Sequence, residues 1–482
     1  MKRGARDGAP FHCHCWSATR PHSISKGLLS LSTVVFYFLW EDDRPRSAET
    51  EAAMPRTPHI PEPDSRRWHV PPPLIRGGAA LEGANILQEL PGELGVLLWQ
   101  SVRTVTLWAS ARPSDRSELF LSGAEKRRAD ALREAGPEPE VREPLSTITR
   151  LLGRPLEIEA AAIGVACTQV AQWAQSKGLR ATGFEFTQAA ALASPQDPKL
   201  ALTVARTARN GAEYSGAEVW YQRTVGLARQ AGDWDTYARA YIGLGKMWLA
   251  RGVYPAARKN LHKARRAAER KGLNDVLGMA LHDLFIVESD SHRDAEALRY
   301  AQAALDAYPR DNVNLPVLAY DVAFFWVVRG RFEQALPVLR AVVPHLDPKR
   351  PEPRGGLARA AGAMGDEATF DSAWQTLWEI DDNLPGKADA LVQASHGATS
   401  LGRMDDAERA ASHALEIARQ RRQSKVALDA EGVLESVRSE RSADTALHQA
   451  EPATARKAPP ADQADVLARE LVESLEASSV GR

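Results

Sequence analysis

The sequence predicts an all-α protein: an α-solenoid of about seven helix–turn–helix units behind an N-terminal helical cap. Three observations predict it. Past Leu156 the 482-residue chain runs helix after helix, with Gly, Asp or Pro at the breaks. The segment Tyr241–Ala264, YIGLGKMWLARGVYPAARKNLHKA, holds two amphipathic runs around Gly252, each too short to be stable alone. A close-packing position also recurs down the chain at near-constant spacing. Units of this kind cannot bury their apolar faces singly, so stacking is what stabilises them.

In chain order, residues 1–53 form a leader. Gly27–Trp40, GLLSLSTVVFYFLW, carries no charge over 14 residues. A spanning helix needs about 20 apolar residues. The run has the length of a signal-peptide core, but no small-x-small cleavage site follows directly. Sequence upstream of a native start at Met54, a signal or anchor, and a structural element all stay open. His12-Cys13-His14-Cys15 alternates too tightly to close one tetrahedral metal site, and no second ligand pair occurs elsewhere. Residues 54–91, with many prolines and glycines and no apolar period, read as a disordered linker.

Residues 92–155 read as the cap. Leu94, Leu97, Leu98, Val102, Val105 and Trp108 fall at helical spacing. Pro113-Ser114-Asp115 offers a turn and a helix cap before a second helix, Asp115 to Glu134, which Gly136-Pro137 ends. A third runs from Glu143 to Leu152.

The repeats occupy residues 156–420. In Tyr241–Ala264 the first helix carries Tyr241, Leu244, Gly245 and Trp248, and the second Ala257, Leu261 and Ala264. Gly245 and Ala257 are small where the helices cross closely, and Gly252 stops the first helix. The close-packing position of the second helix falls at Gly183, Ala217, Ala257, Ala297, Ala335, Phe370 and Ala407, with spacings of 34, 40, 40, 38, 35 and 37. The turn glycines are Gly178, Gly252, Gly330, Gly365 and Gly402. Around Ala297, Phe285 stands where a small residue is expected and His292 stands at the turn; Phe370 is itself large. The register is open at those two units. These residues resemble the tetratricopeptide repeat (TPR) family, a helix–turn–helix unit of 34 residues. Every main signature position of the unit at Tyr241–Ala264 is matched except the closing proline. After the repeats, 421–436 reads as a capping helix and 437–460 as disordered linker. Residues 461–482 read as an amphipathic helix and tail, with Leu467, Leu471 and Leu475 at four-residue spacing.

Lys and Arg total 61 and Asp and Glu 62, so no basic excess points to nucleic acid. The three cysteines, Cys13, Cys15 and Cys167, make no disulfide framework and fit a reducing compartment. Abundant alanine and arginine with scarce lysine is the composition of a GC-rich bacterial genome. A cytoplasmic location is expected, with residues 27–40 leaving a signal or anchor open. No phosphate-cradling loop, HExxH or Gly-x-Ser-x-Gly occurs. His262, His282, His396 and His413 have no metal partner at i+4, and Cys167 reads as a buried packing thiol. No enzyme activity, metal or cofactor is expected. The basic run Ala256–Lys271 reads as a solvated outer face, with Ala257, Leu261, Ala264 and Ala268 inward.

The family resemblance implies a concave groove lined by the first helices. Transferred onto this sequence, the groove positions are Lys199, Arg206, Arg209, Asn210, Arg239, Lys246, His282, Tyr320, Phe324, Arg359 and His396. The groove is expected to be basic in its N-terminal half and aromatic in its middle. That implies a non-enzymatic scaffold for a protein or peptide with acidic groups and an apolar anchor. Neither nucleic acid nor a small-molecule substrate is expected. The alternative is the sensor or interaction region of a bacterial signalling or transcriptional regulator, with 92–155 as effector.

Overall fold

A computed structural model of the protein describes residues 70–73, 84–444 and 463–480. The expectations for the leader 1–53, for most of the linker 54–91 and for 445–460 lie outside the described residues. Every regular element among the described residues is helical. No described helix is long and apolar enough to cross a membrane.

The cap comprises α1 (Ala84–Glu89), α2 (Glu93–Ser110), α3 (Ala124–Ala135) and α4 (Pro139–Arg150). Leu97, Leu98, Val102, Val105 and Trp108 of α2 are buried, the stripe read from the sequence. The single helix expected over Asp115–Glu134 is instead a 3-10 turn, Pro113–Glu118, followed by α3. Gly123 separates them with φ 75°, which no helix can contain. α4 starts at Pro139, ahead of the expected Glu143, because a first-turn proline has its φ preset and no N–H to satisfy. α1 lies inside the segment expected as linker, with Ile86 fully buried.

Seven hairpins follow: α5 (Ala160–Ser176) with α6 (Arg180–Ala193), α7 (Pro198–Asn210) with α8 (Tyr214–Ala231), and α9 (Trp234–Ala250) with α10 (Tyr254–Lys271). Next come α11 (Asn274–Asp290) with α12 (Asp294–Ala307), α13 (Leu315–Val328) with α14 (Phe332–Val342), α15 (Glu352–Ala363) with α16 (Glu367–Glu379), and α17 (Lys387–Ser400) with α18 (Met404–Gln420). Each of the seven close-packing residues sits on the second helix of its hairpin and is buried. That fixes the register at Ala297 and Phe370. The large Phe370 fits because its partner helix α15 is built from Gly355, Gly356, Ala358, Ala360, Ala361 and Gly362. Gly245 is needed where predicted, since a Cβ there would stand 2.6 Å from Leu261. All five turn glycines have positive φ, and the second and fourth turns place Ala212 and His292 in the same left-handed region.

Glu89 joins the cap to the repeats. Its carboxylate accepts the backbone N–H groups of Ala181 (3.0 Å) and Thr182 (2.8 Å), satisfying open donors at the N-terminus of α6. Several successive first helices touch, α7 with α9, α9 with α11, α13 with α15 and α15 with α17, whereas successive second helices scarcely do. The rod therefore curves toward the first helices, which form its inner wall.

The capping helix α19 (Ser424–Asp444) is longer than the expected 421–436 and runs into the segment expected as linker. The last helix, α20 (Gln463–Val480), turns back and docks on α14, α13 and α12. Leu467, Leu471 and Leu475 are its buried stripe. Gln302 donates to Glu470 (2.6 Å) and Gln334 to Asp465 (2.7 Å) at its edges.

Candidate functional site

One position of the first helix recurs as Arg209, Lys246, Asp283, Asp321, Arg359 and His396, at spacings of 37, 37, 38, 38 and 37. These side chains stand on α7, α9, α11, α13, α15 and α17 in turn, one per unit. The result is a ladder of ionisable groups along the inner wall: basic at Arg209 and Lys246, acidic at Asp283 and Asp321, then Arg359 and His396. Two neighbouring rungs meet where Lys246 Nζ lies 3.6 Å from Asp283 Oδ1.

Burial shifts several ionisable groups of the wall. Arg206 is exposed to solvent, yet desolvation holds its guanidinium below the ordinary value. Lys246 is lowered by desolvation first, with Asp283 opposing and Arg209 and Arg206 adding to the shift. Arg359 is lowered by desolvation while its Nη1 donates to Gln393 Oε1 at 2.7 Å. Burial, helped by Arg359, pushes His396 down to about 4. Asp389, on the same wall, is pushed up to about 6 by burial, with Asp429 and Glu352 adding to the shift and Lys425 and Arg359 opposing. Groups reached by solvent but walled by protein feel one another more strongly than groups on an open surface.

The structure sorts the sequence-predicted residues into three sets. Lys199, Arg206, Arg209, Asn210, Arg239 and Lys246 stand together on α7 and α9 as the expected basic half. Within it Arg209 donates to Asn210 Oδ1 (2.9 Å), and Arg239 is spent on Asp235 and Asp275, both at 2.8 Å. Arg359 and His396 stand on α15 and α17, remote in sequence from that group. The expected aromatic middle is corrected. Tyr320 is 1% and Phe324 3% exposed, their rings 6.0 Å apart and packed on Gly356. His282 is likewise buried, its Nε2 2.8 Å from Asp321 Oδ2. The half-buried groups at the middle of the wall are acidic instead, Asp321 and Asp389, with Asp283, Asp290 and Glu352 buried beside them. The missed signal was the ladder spacing: stepping 37 or 38 residues from Lys246 reaches Asp283 and Asp321, one place beyond His282 and Tyr320.

Two features outside the wall are structural. On α10, Ala257, Leu261, Ala264 and Ala268 are buried as expected. The basic residues there are largely occupied: Arg258 bonds Glu288 (2.6 and 2.9 Å), Arg265 faces Glu269 (3.4 Å) and Lys263 lies over Tyr241. Cys167 on α5 is fully buried, and burial pushes its thiol far above the ordinary value.

Fold and wall together define a TPR-like helical-repeat solenoid with a charged inner channel. No family model matches the chain, and no curated protein matches it. Among solved structures it is similar to a Rap protein complexed with Competence and Sporulation Factor, at 9% identity and a TM-score of 0.38, covering 73% of this chain and 99% of that one. It is similar to aspartyl phosphate phosphatase F from Bacillus subtilis at 11% identity and a TM-score of 0.38, covering 80% and 99%. It is also similar to a signal transduction ATPase with numerous domains carrying a tetratricopeptide repeat sensor, from Pyrococcus horikoshii. That match has 12% identity and a TM-score of 0.45, and covers 76% of this chain and 53% of that one.

Proposed function

We propose that the protein is a non-catalytic scaffold that holds an extended segment of a partner protein along its inner channel. The observation that carries this reading is the charge ladder: an ionisable side chain at a constant repeat position on each of the six first helices from α7 to α17. A core has no use for such a row, because buried charge is costly unless paired. A ligand chain running across the units would meet one rung per unit. The basic group on α7 and α9 suits acidic side chains of the segment, and charge complementarity sets its direction along the channel.

The full chain, panned against a random 12-residue displayed peptide library, should enrich peptides with acidic residues. The double variant Arg206→Glu, Arg209→Glu should bind them at least tenfold more weakly. The outer-face variant Arg266→Glu, Arg270→Glu should bind them as the wild type does. Lys246 is left intact, since a carboxylate there would face Asp283. Equal binding by both variants would remove the channel assignment.

A further inference from the structure

We propose that the cleft between α11 and α13 on the inner wall receives one cationic side chain, an arginine or lysine of the bound segment. The inference rests on the channel reading above and adds the chemistry of the anchor.

The cleft is lined by Phe285, Asp290, Asp321, Phe325, Val328 and Arg329, among others. Asp290 is the group that defines it. Only 9% of the residue is exposed, and its carboxylate makes no hydrogen bond or ion pair with any described residue. Asp321 brings a second carboxylate to the same cleft, oriented by His282. Arg329 does not fill the role of partner. It donates to Asp294 (2.9 Å) and to the carbonyl of Ser289 (3.0 Å), and lies over the Phe325 ring at 4.1 Å. Burial pushes the Asp290 carboxyl up to about 6, with Arg329 and Lys425 opposing. Lys425 belongs to α19, four units further along, and its field still counts at Asp290.

Three classes of occupant can be weighed against this chemistry. An anion meets two carboxylates. A hard divalent cation wants six or more oxygen ligands, and this cleft has apolar walls. A lysine or arginine offers a charge for Asp290 and a methylene stem for Val328. The site thereby complements the basic rungs of α7 and α9: the bound segment has acidic residues toward one end and a basic anchor at the middle.

The test uses the full chain and the peptide library already described. Enriched peptides should carry a Lys or Arg, and changing that residue to Leu should weaken binding at least tenfold. Asp290→Asn should weaken the same peptides at least tenfold while melting no lower than the wild type, since it removes an uncompensated buried charge. Asp405→Asn, on the second helix α18, should leave binding unchanged. Enriched peptides without a basic residue, or peptides that bind Asp290→Asn as tightly as the wild type, overturn the cation pocket and leave the channel standing. Failure to enrich any peptide overturns the channel reading and the pocket with it.

Discussion

A backbone-to-backbone helix contact offers the sharpest stability experiment. α15 and α17 meet backbone to backbone through Gly355, Gly362 and Gly397. A Cβ placed on Gly362 falls against the Gly397 carbonyl and 2.6 Å from its Cα, whereas ordinary contact begins at 3.4 Å. The helices must therefore part by at least the difference, 0.8 Å, and neither partner is a flexible side chain. Overpacking of this kind costs about 1–3 kcal/mol, and the rigid contact puts it near the upper figure. Alanine recovers about 1 kcal/mol of helix propensity over glycine. Gly362→Ala should thus lose about 2 kcal/mol. Gly432 gives the opposite sign, because it is a glycine inside α19 with nothing within 4 Å of its Cβ position. Gly432→Ala should gain about 1 kcal/mol from propensity alone. Melting followed by circular dichroism at 222 nm reads both, at about 2 °C per kcal/mol for a large domain. The expected shifts are about −4 °C and +2 °C. If Gly362→Ala melts at or above the wild type, the helices are not in backbone contact and the curvature of the inner wall is wrong.

The remaining predictions follow from single groups. Glu89→Ala should remove the cap that α1 provides to α6, costing about 1–2 kcal/mol, and hydrogen exchange at Ala181 and Thr182 should speed up roughly tenfold. Asp389 has its carboxyl raised to about 6 by burial, so the folded chain holds a proton that the unfolded chain has released between about pH 4 and 6. Its contribution to stability is therefore lost as pH rises through about 6. Asp389→Asn should melt above the wild type at pH 7.5, with the gap narrowing toward pH 4.5; a gap that widens on acidification would contradict the buried placement. Cys167 should resist iodoacetamide in the native state and react only on unfolding, as read by peptide mapping.

The solenoid was legible because a stack of hairpins repeats one contact. Wherever two helices cross at the same distance from a turn, a small residue must recur, so Ala217, Ala257, Ala297, Ala335 and Ala407 announce the architecture on their own. The turns were legible for a similar reason: a left-handed residue ends each first helix, and glycine adopts that conformation without strain at Gly178, Gly252, Gly330, Gly365 and Gly402. The helices that carry Arg206, Arg209 and Lys246, α7 and α9, were legible from the same repeat.

Other features depended on geometry finer than the pattern. Successive residues of a helix point about 100° apart, so a register shifted by one place at α13 selected the buried Tyr320 instead of the half-buried Asp321, and at α11 both His282 and its neighbour Asp283 are buried. Apolar periodicity could not correct the shift, because α11 and α13 are buried over most of their circumference. The seat of α20 on α14 lies beyond any local signal, as Gln302 and Glu470 are 168 residues apart in sequence. Local sequence, through period, turn chemistry and small residues, determined that this chain is a curved rod of hairpins. Only the tertiary structure decided which side chains face the hollow. The curvature of the stack and the exact rotation of each helix set the spacing and desolvation of charges on the inner wall, and those are properties of many units acting together.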